Sequence, residues 1–268
     1  MRARVTTGVL DAILARTRAR VERERSLHPL QTVRAEAGRA PAVRPFGAAL
    51  ARPDRIGVIA EHKRRSPSRG AIREDLAPAA VARAYAAAGA AALSVLTDEP
   101  FFGGSLEHLR EARSATALPA LRKDFVVDPW QVWESRAAGA DAVLLIVAAL
   151  ADAGLEMLLA AAREASLDVL VEVHDRLELD RALGAGAAIV GVNNRDLRSM
   201  EVTLEASLAL GPAIPDDVVA VAESGIRTGS DLRRLRGVGF DAVLVGEHLM
   251  AAPDPGRALE EMIAEAAP

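Results

Sequence analysis

Eight short apolar runs recur along the chain, and they constrain its fold more than any other feature: IGVIAE (56–61), AALSVLT (91–97), PALRKD (119–124), DAVLLIVA (141–148), DVLVEVH (168–174), AIVGVNN (188–194), VVAVAESG (218–225) and DAVLVGE (241–247). They are rich in β-branched residues and lack polar alternation. Strands of a parallel sheet, buried on both faces, read this way. Helical patterns lie between them, among them APAAVARAYAAAG, SLEHLREARSA, DPWQVWESRAAG, DAGLEMLLAAAREA, DRLELDRALGAG and SDLRRLRGVG. Several close on Gly, the usual helix stop. The junctions GADAV, GAAIV and GFDAV repeat one device of helix, glycine, small turn and strand. Eight such units in 268 residues predict an α/β chain folded as a (β/α)8 TIM barrel. A doubly wound sheet is the alternative, and it fits poorly because no GxGxxG loop is present.

The prediction is a single barrel domain over 1–268, of which 1–50 is an N-terminal helical extension. GVLDAILARTRARVERER carries Val9, Leu10, Ile13, Leu14 and Val21 at helical spacing, followed by HPLQTVRAEA and RPFGAALARP. Such an extension can cover the barrel bottom and bury apolar surface, or it can roof the active site. The sequence slightly favours the first.

Composition narrows the function. The net charge is −4, so nothing points to nucleic acid or a membrane surface. There is no cysteine, which excludes disulfides, thiolate metal sites and cysteine nucleophiles. The N-terminus has no apolar stretch followed by a cleavage site, and no run of 18 apolar residues occurs. A cytoplasmic protein acting on a small molecule is expected, as a monomer, with a dimer as the alternative.

In this fold active sites sit at the C-terminal ends of the strands. The first run ends in Glu61 and Lys63, the third in Lys123 and Asp124, and the fifth in Glu172 and His174. The sixth ends in Asn193, Asn194 and Arg195, the seventh in Glu223 and Ser224, and the eighth in Gly246 and Glu247. Of 33 basic residues, Lys63 and Lys123 alone are lysine. An ion pair could equally have been made by Arg, whereas a desolvated Lys can release a proton near neutral pH. Two lysines and three glutamates at one mouth form a proton-transfer set. Asp124 points to the opposite strand face from Lys123 and anchors structure.

ESGI (223–226) and VGEHL (245–249) each place a Gly after a strand and before a helical segment. The loops after strands seven and eight form the usual phosphate cradle of this fold, bound through backbone N–H groups. The basic loop KRRSPSRG (63–70) is placed to steer an anionic substrate. No histidines pair at i, i+4, so no zinc site is expected. His62 alternates with Glu61 and Lys63 and faces the helix layer. His174 shares a strand face with Glu172, and packing or solvent accounts for it best. Ser224 has no evident histidine base, which disfavours a serine hydrolase.

The segments IGVIAEHKRRSPSRG, LTDEPFFGGS, LRKDFVV, ADAVLLIVAAL, LVEVH, IVGVNNRDL, VAESGI and LVGEHLM resemble, in order and spacing, the motif set of the indole-3-glycerol phosphate synthase family. The resemblance runs from about Val9 to Met250 and includes the extension. It implies a decarboxylating lyase of tryptophan biosynthesis that closes the ring of 1-(2-carboxyphenylamino)-1-deoxyribulose 5-phosphate, without metal or organic cofactor. It implies Lys123 as the general acid of ring closure, with Glu61, Lys63 and Glu172 assisting closure and dehydration. Asn193 and Arg195 would hold the substrate, Arg195 through the aryl carboxylate. Glu223, Ser224, Gly225 and Gly246 would line the far side, with Gly225 and Gly246 amides on the phosphate. Phe102, Phe125 and Leu144 would pack on the aromatic ring, and Arg65 and Ser66 of the basic loop would meet the substrate's anionic groups. Glu247 stands where some members have Ser, so its backbone alone is expected at the phosphate. Phosphoribosylanthranilate isomerase, a neighbouring barrel, works through a Cys/Asp pair and is disfavoured here. A non-catalytic phosphate-binding barrel would keep the glycines but need neither both lysines nor Glu172.

Overall fold

The computed structural model describes residues 8–52, 54–67, 69–196 and 199–267. The charged first seven residues, Ser68 of the SPS motif and Leu197 of NNRDL lie outside the described residues. Eight parallel strands close into a barrel: β1 (Gly57–His62), β2 (Ala92–Leu96), β3 (Ala120–Lys123), β4 (Ala142–Ile146), β5 (Asp168–Val173), β6 (Ile189–Asn193), β7 (Val219–Glu223) and β8 (Ala242–Val245). Their order is β1-β8-β7-β6-β5-β4-β3-β2, so every strand neighbours those next to it in sequence and β8 closes on β1. The eight predicted runs are these eight strands.

Three helices precede the barrel: α1 (Val9–Leu27), α2 (Leu30–Ala37) and α3 (Phe46–Leu50). Then follow α4 (Pro78–Ala87), α5 (Glu99–Phe102), α6 (Leu106–Ser114), α7 (Pro129–Ala137), α8 (Asp152–Glu164), α9 (Arg176–Gly184), α10 (Glu205–Leu210), α11 (Gly229–Arg236), α12 (Glu247–Ala251) and α13 (Pro255–Ala266). Side chains of Ser105, Asp128, Asp175, Thr228 and Asp254 accept from the first-turn amides of α6, α7, α9, α11 and α13. Such caps supply acceptors for N–H groups that have no partner within the helix. The helix-to-strand device recurs physically: Gly89, Gly139, Gly186 and Gly239 all have φ between +82° and +99°. After α8 the sequence offers no glycine, and Ser166 adopts φ 57° in its place. The six-residue α10 was not among the predicted helices; it is too short to show a periodic apolar face. Among the described residues, no helix is long and apolar enough to cross a membrane.

Strand alternation sorts the apolar residues into two layers. Ile59, Leu121, Leu144, Leu170, Ile189, Val221 and Leu244 fill the barrel interior. Their neighbours Val58, Val143, Val171, Val190, Ala220 and Val243 pack outward against the helix shell. The extension divides between the two ends. Phe46 and Leu50 of α3 are fully buried against the interior cluster and close the bottom, where the Gly47 amide donates to Asp168 Oδ2 at 2.9 Å. Val9, Leu10 and Ile13 of α1 line the cavity at the opposite end. Each of the two expected placements thus holds for a different segment. The bottom-cover expectation, favoured for the extension as a unit, fails for α1.

Candidate active site

A cavity of about 700 Å³ opens at the C-terminal ends of the strands. Its base is polar because the inward-facing rows of β1, β3, β5, β6 and β7 each end in a polar side chain just above the apolar interior. Glu61 follows Ile59 on β1, Lys123 follows Leu121 on β3, and Glu172 follows Leu170 on β5. Asn193 and Glu223 are register partners across β6 and β7. Glu61, Glu172 and Glu223 are each at most 3% exposed.

Lys123 Nζ donates to Glu172 Oε2 at 3.0 Å and to Glu223 Oε2 at 2.8 Å. Lys63 Nζ donates to Glu61 Oε1 at 2.8 Å, and Ser94 Oγ reaches Glu61 Oε2 at 3.3 Å. Asn193 Nδ2 donates to Glu172 Oε1 at 3.0 Å, and the Arg195 amide donates to Asn193 Oδ1 at 3.0 Å. Three buried carboxylates thus share two lysines. Burial works against the Lys123 ammonium, but Glu172, Glu223 and Glu61 outweigh it and raise the group above the usual lysine range. Burial alone would raise the Glu172 carboxyl; Lys123, His174 and Asn193 together hold it well below the carboxylate range. For Glu223, burial and the like charge of Glu172 prevail over Lys123, and its carboxyl rises to about 7.

Two glycines make room for these acids. A Cβ on Gly191 would collide with Glu223 Oε1, and one on Gly246 with Glu61 Oε1. Gly191 was not foreseen as part of the site. In sequence a glycine inside an apolar strand carries no sign of what lies across from it.

The walls divide by chemistry. Phe102 and Phe125 form an aromatic wall, with ring centroids 6.1 Å apart and planes tilted by 36°. Leu144 and, from α1, Val9, Leu10 and Ile13 line the same cavity. On the far side Ser224 and Gly225 turn the chain with φ of 66° and 79°. A left-handed serine is sparsely populated and is held here by its surroundings. Asn194, buried, donates through Nδ2 to Ser224 O at 3.2 Å and accepts from the Ser207 amide at 3.0 Å. Gly225 needs both its positive φ and its bare Cα, since a Cβ would stand 2.7 Å from Val202 Cγ1.

The cavity lining contains Lys63, Glu61, Ser66, Phe102, Lys123, Phe125, Leu144, Glu172, Asn193, Arg195, Glu223, Ser224, Gly225, Gly246 and Glu247. Of the residues singled out in the sequence, Arg65 is not brought there. The loop after β1 folds as a short antiparallel ladder, with Arg65 opposite Ala71 and Ser66 opposite Gly70. Alternation then sends Ser66 inward to burial and Arg65 outward, where its aliphatic stem lies along Gly103. Arg69 lines the cavity instead. The Glu247 side chain also lines the cavity; it pairs with Arg69 at 3.2 Å and faces Arg195 at 4.0 Å. His62 packs outward, edge-on to His108 of α6 with centroids 5.9 Å apart, as its strand position requires. Asp124 likewise turns outward to Arg122 at 2.8 Å and Thr97 at 2.7 Å. His174 does more than pack: it faces Glu172 at 3.4 Å.

Comparison with known proteins agrees with this geometry. The sequence model of the family described as indole-3-glycerol phosphate synthase matches residues 10–262. Indole-3-glycerol phosphate synthase 2 of Streptomyces coelicolor is 49% identical over 257 residues, covering 96% of this chain and 99% of that protein. The indole-3-glycerol phosphate synthase of Albidiferax ferrireducens is 48% identical over 263 residues, covering 97% of this chain and 100% of that protein. The thiamine phosphate pyrophosphorylase of Pyrococcus furiosus shares the fold alone, with a TM-score of 0.61, 19% identity, and coverage of 81% of this chain and 96% of its own. The chain belongs to the indole-3-glycerol phosphate synthase family, a family of carboxy-lyases.

Proposed function

We propose that this barrel converts 1-(2-carboxyphenylamino)-1-deoxyribulose 5-phosphate into indole-3-glycerol phosphate, CO2 and water by Lys/Glu general acid–base catalysis. The observation that carries this reading is Lys123 Nζ at the cavity base, held between Glu172 and Glu223 in a chain whose other basic residues, Lys63 of the same site apart, are Arg. Lys123 gives a proton to the ketone oxygen as the carboxylate-bearing ring carbon attacks the ketone carbon. The attacking ring is then cationic, and departure of CO2 returns an electron pair to it. In dehydration the new hydroxyl leaves as water with a proton from Lys63, and the proton released from the ring system passes to Glu172. Glu172, kept ionised by Lys123, His174 and Asn193, is free to accept that proton, which leaves the acid role to Lys63. Glu223, titrating near neutrality, sets how tightly Lys123 is held.

The substrate's three parts fit three walls. Phe102, Phe125 and Leu144 take the aromatic ring, with α1 closing over it. Arg195, with Arg69 beside it, meets the aryl carboxylate. The amides around Gly225 and Gly246 receive the phosphate.

The test is to add the carboxyphenylamino-deoxyribulose phosphate to purified protein and follow indole fluorescence, with Lys123→Arg alongside. Signal from the parent and none from the variant is expected. A parent that binds a phosphate analogue but yields no indole would overturn the reading in favour of a binding barrel.

A further inference from the structure

His174 has no part in the reaction as written, yet it stands in the second layer behind its base. Its Nδ1 lies 3.0 Å from Glu178 Oε2, and its backbone amide donates to the same oxygen at 2.8 Å. Glu178 is in turn fixed at the third position of α9, where its amide donates to the capping Asp175 Oδ1 at 2.9 Å. On the other side of the ring, Nε2 is buried, has no hydrogen-bond partner, and faces Glu172 Oε1 at 3.4 Å. The imidazole is therefore clamped by one carboxylate and aimed at the other. The amide contact is a helix-start contact of the kind Asp231 makes with the Arg227 amide ahead of α11, and the contact to the ring is additional to it. Burial disfavours the imidazolium, but Glu172 and Glu178 outweigh burial and raise its pKa to about 10.

The consequence emerges when Lys123 works. At rest Glu172 has Lys123 on Oε2 and Asn193 on Oε1. As Lys123 turns to the ketone oxygen it leaves Glu172, and Glu223 across the site adds like charge. A buried carboxyl without a cation takes up a proton and ceases to be a base. The groups facing Glu172 are Lys123 from β3, Asn193 from β6, Glu223 from β7 and His174 on its own strand. Those facing His174 are Glu172 and, from α9, Glu178.

We propose that Glu178 and His174 form a relay behind Glu172, in which the imidazolium gripped by Glu178 holds the Glu172 carboxylate in position while Lys123 is engaged with substrate. His174 is a positioning residue. The inference rests on Glu172 being the base of the proposed reaction, and its test has a readout that does not depend on turnover.

The histidine Cε1 protons of the whole protein are titrated by NMR, with His174→Gln identifying the signal of interest among five histidines. The expected result is a histidine that stays protonated up to pH 9 in the parent. In Glu178→Gln it should titrate at least about one pH unit lower. In parallel, kcat is measured from pH 5.5 to 8. His174→Gln should lose more rate on the acid side than the parent, whose Glu223 also titrates there, with the ratio of kcat at pH 5.5 to that at pH 8 falling about tenfold below the parent's. Glu178→Gln should move the same way by less, with KM unchanged in both. If His174→Gln does not fold, Glu178→Gln carries both arms. A His174 that titrates near 6.5 in the parent overturns the relay, as does a rate loss spread evenly over pH. A silent parent whose His174 still titrates high would sink the reaction but leave the clamp standing.

Discussion

The two faces of β3 each bury a cation, one residue apart, and the chain handles them differently. On the outer face Arg122 is 0% exposed and its guanidinium is saturated. It meets Asp124 at 2.8 Å, Glu134 at 2.8 Å, Ser135 at 2.9 Å and the Gln131 carbonyl at 3.2 Å. On the inner face Lys123 meets two carboxylates and a cavity. Both pair with buried carboxylates, Arg122 fully buried and Lys123 partly, but they differ in what they can release. A guanidinium with a planar fork of donors stays charged and can brace a strand from several sides. An ammonium facing a substrate pocket can exchange one partner for another and pass on a proton. Outer-face changes should therefore appear in stability, and inner-face changes in rate.

The largest expected effect is on the inner face. Lys123→Arg keeps the charge and removes the transferable proton, so indole formation should fall about 100- to 10,000-fold while the urea midpoint changes little. An active Lys123→Arg would erase the distinction between the two faces. Next, Arg122→Met leaves the buried Asp124 with only Arg20 at 3.7 Å and the part-buried Glu134 without its cation. A loss of about 3–5 kcal/mol in urea unfolding is expected, with kcat of the folded fraction preserved. Gly191→Ala, on the inner face of β6, presses on Glu223; kcat/KM should drop about 10- to 100-fold with a small change in Tm.

His62, on the outer face, tests the same rule through pH. Burial, with His108 and Arg64 nearby, lowers its pKa to about 4. Below its unfolded value of about 6.5 the unfolded chain takes up a proton that the folded chain refuses. Its share of stability is thus complete above that pH and is lost as pH falls towards 4. His62→Phe should lose about 1–2 kcal/mol less than the parent between pH 8 and pH 5, read from thermal unfolding. The smallest effect is at the rim. Glu247 competes for Arg69 and Arg195 with any incoming anion, so Glu247→Gln should lower KM two- to threefold, about 0.5 kcal/mol, more at low salt than at high.

What the sequence revealed follows the same division. The inward row from Glu61 to Glu223 was legible because alternation in a strand is local: once Leu121 faces in, Lys123 must too. The outward placement of His62 and Asp124 followed from the same rule. What depended on remote chain was not legible. Arg65 and Arg69 exchange roles because a short ladder in a loop sets their directions, and no apolar pattern announces that ladder. Helix α1 shows an apolar face, but its docking site is chosen by the mouth it covers. Gly191 gains meaning only from the register that sets Asn193 beside Glu223. His174 reads in the sequence as packing or solvent-facing because its partner Glu178 lies on the next helix, beyond the strand pattern.

The division of the N-terminal extension has a consequence for synthesis. A ribosome delivers Phe46 and Leu50 well before Ile189, Ala242 and Leu244, which share their apolar cluster. Strand β1 likewise waits for β8, whose Ala242–Val245 segment pairs with Gly57–Ala60. Contacts this distant in sequence form slowly, and domains settle as units once enough chain is available. The nascent chain therefore carries the apolar face of α3 without its full seat for most of its emergence, and that of α1 until Trp130 is made. A chaperone that meets this chain part-made meets helices whose seats are still to come.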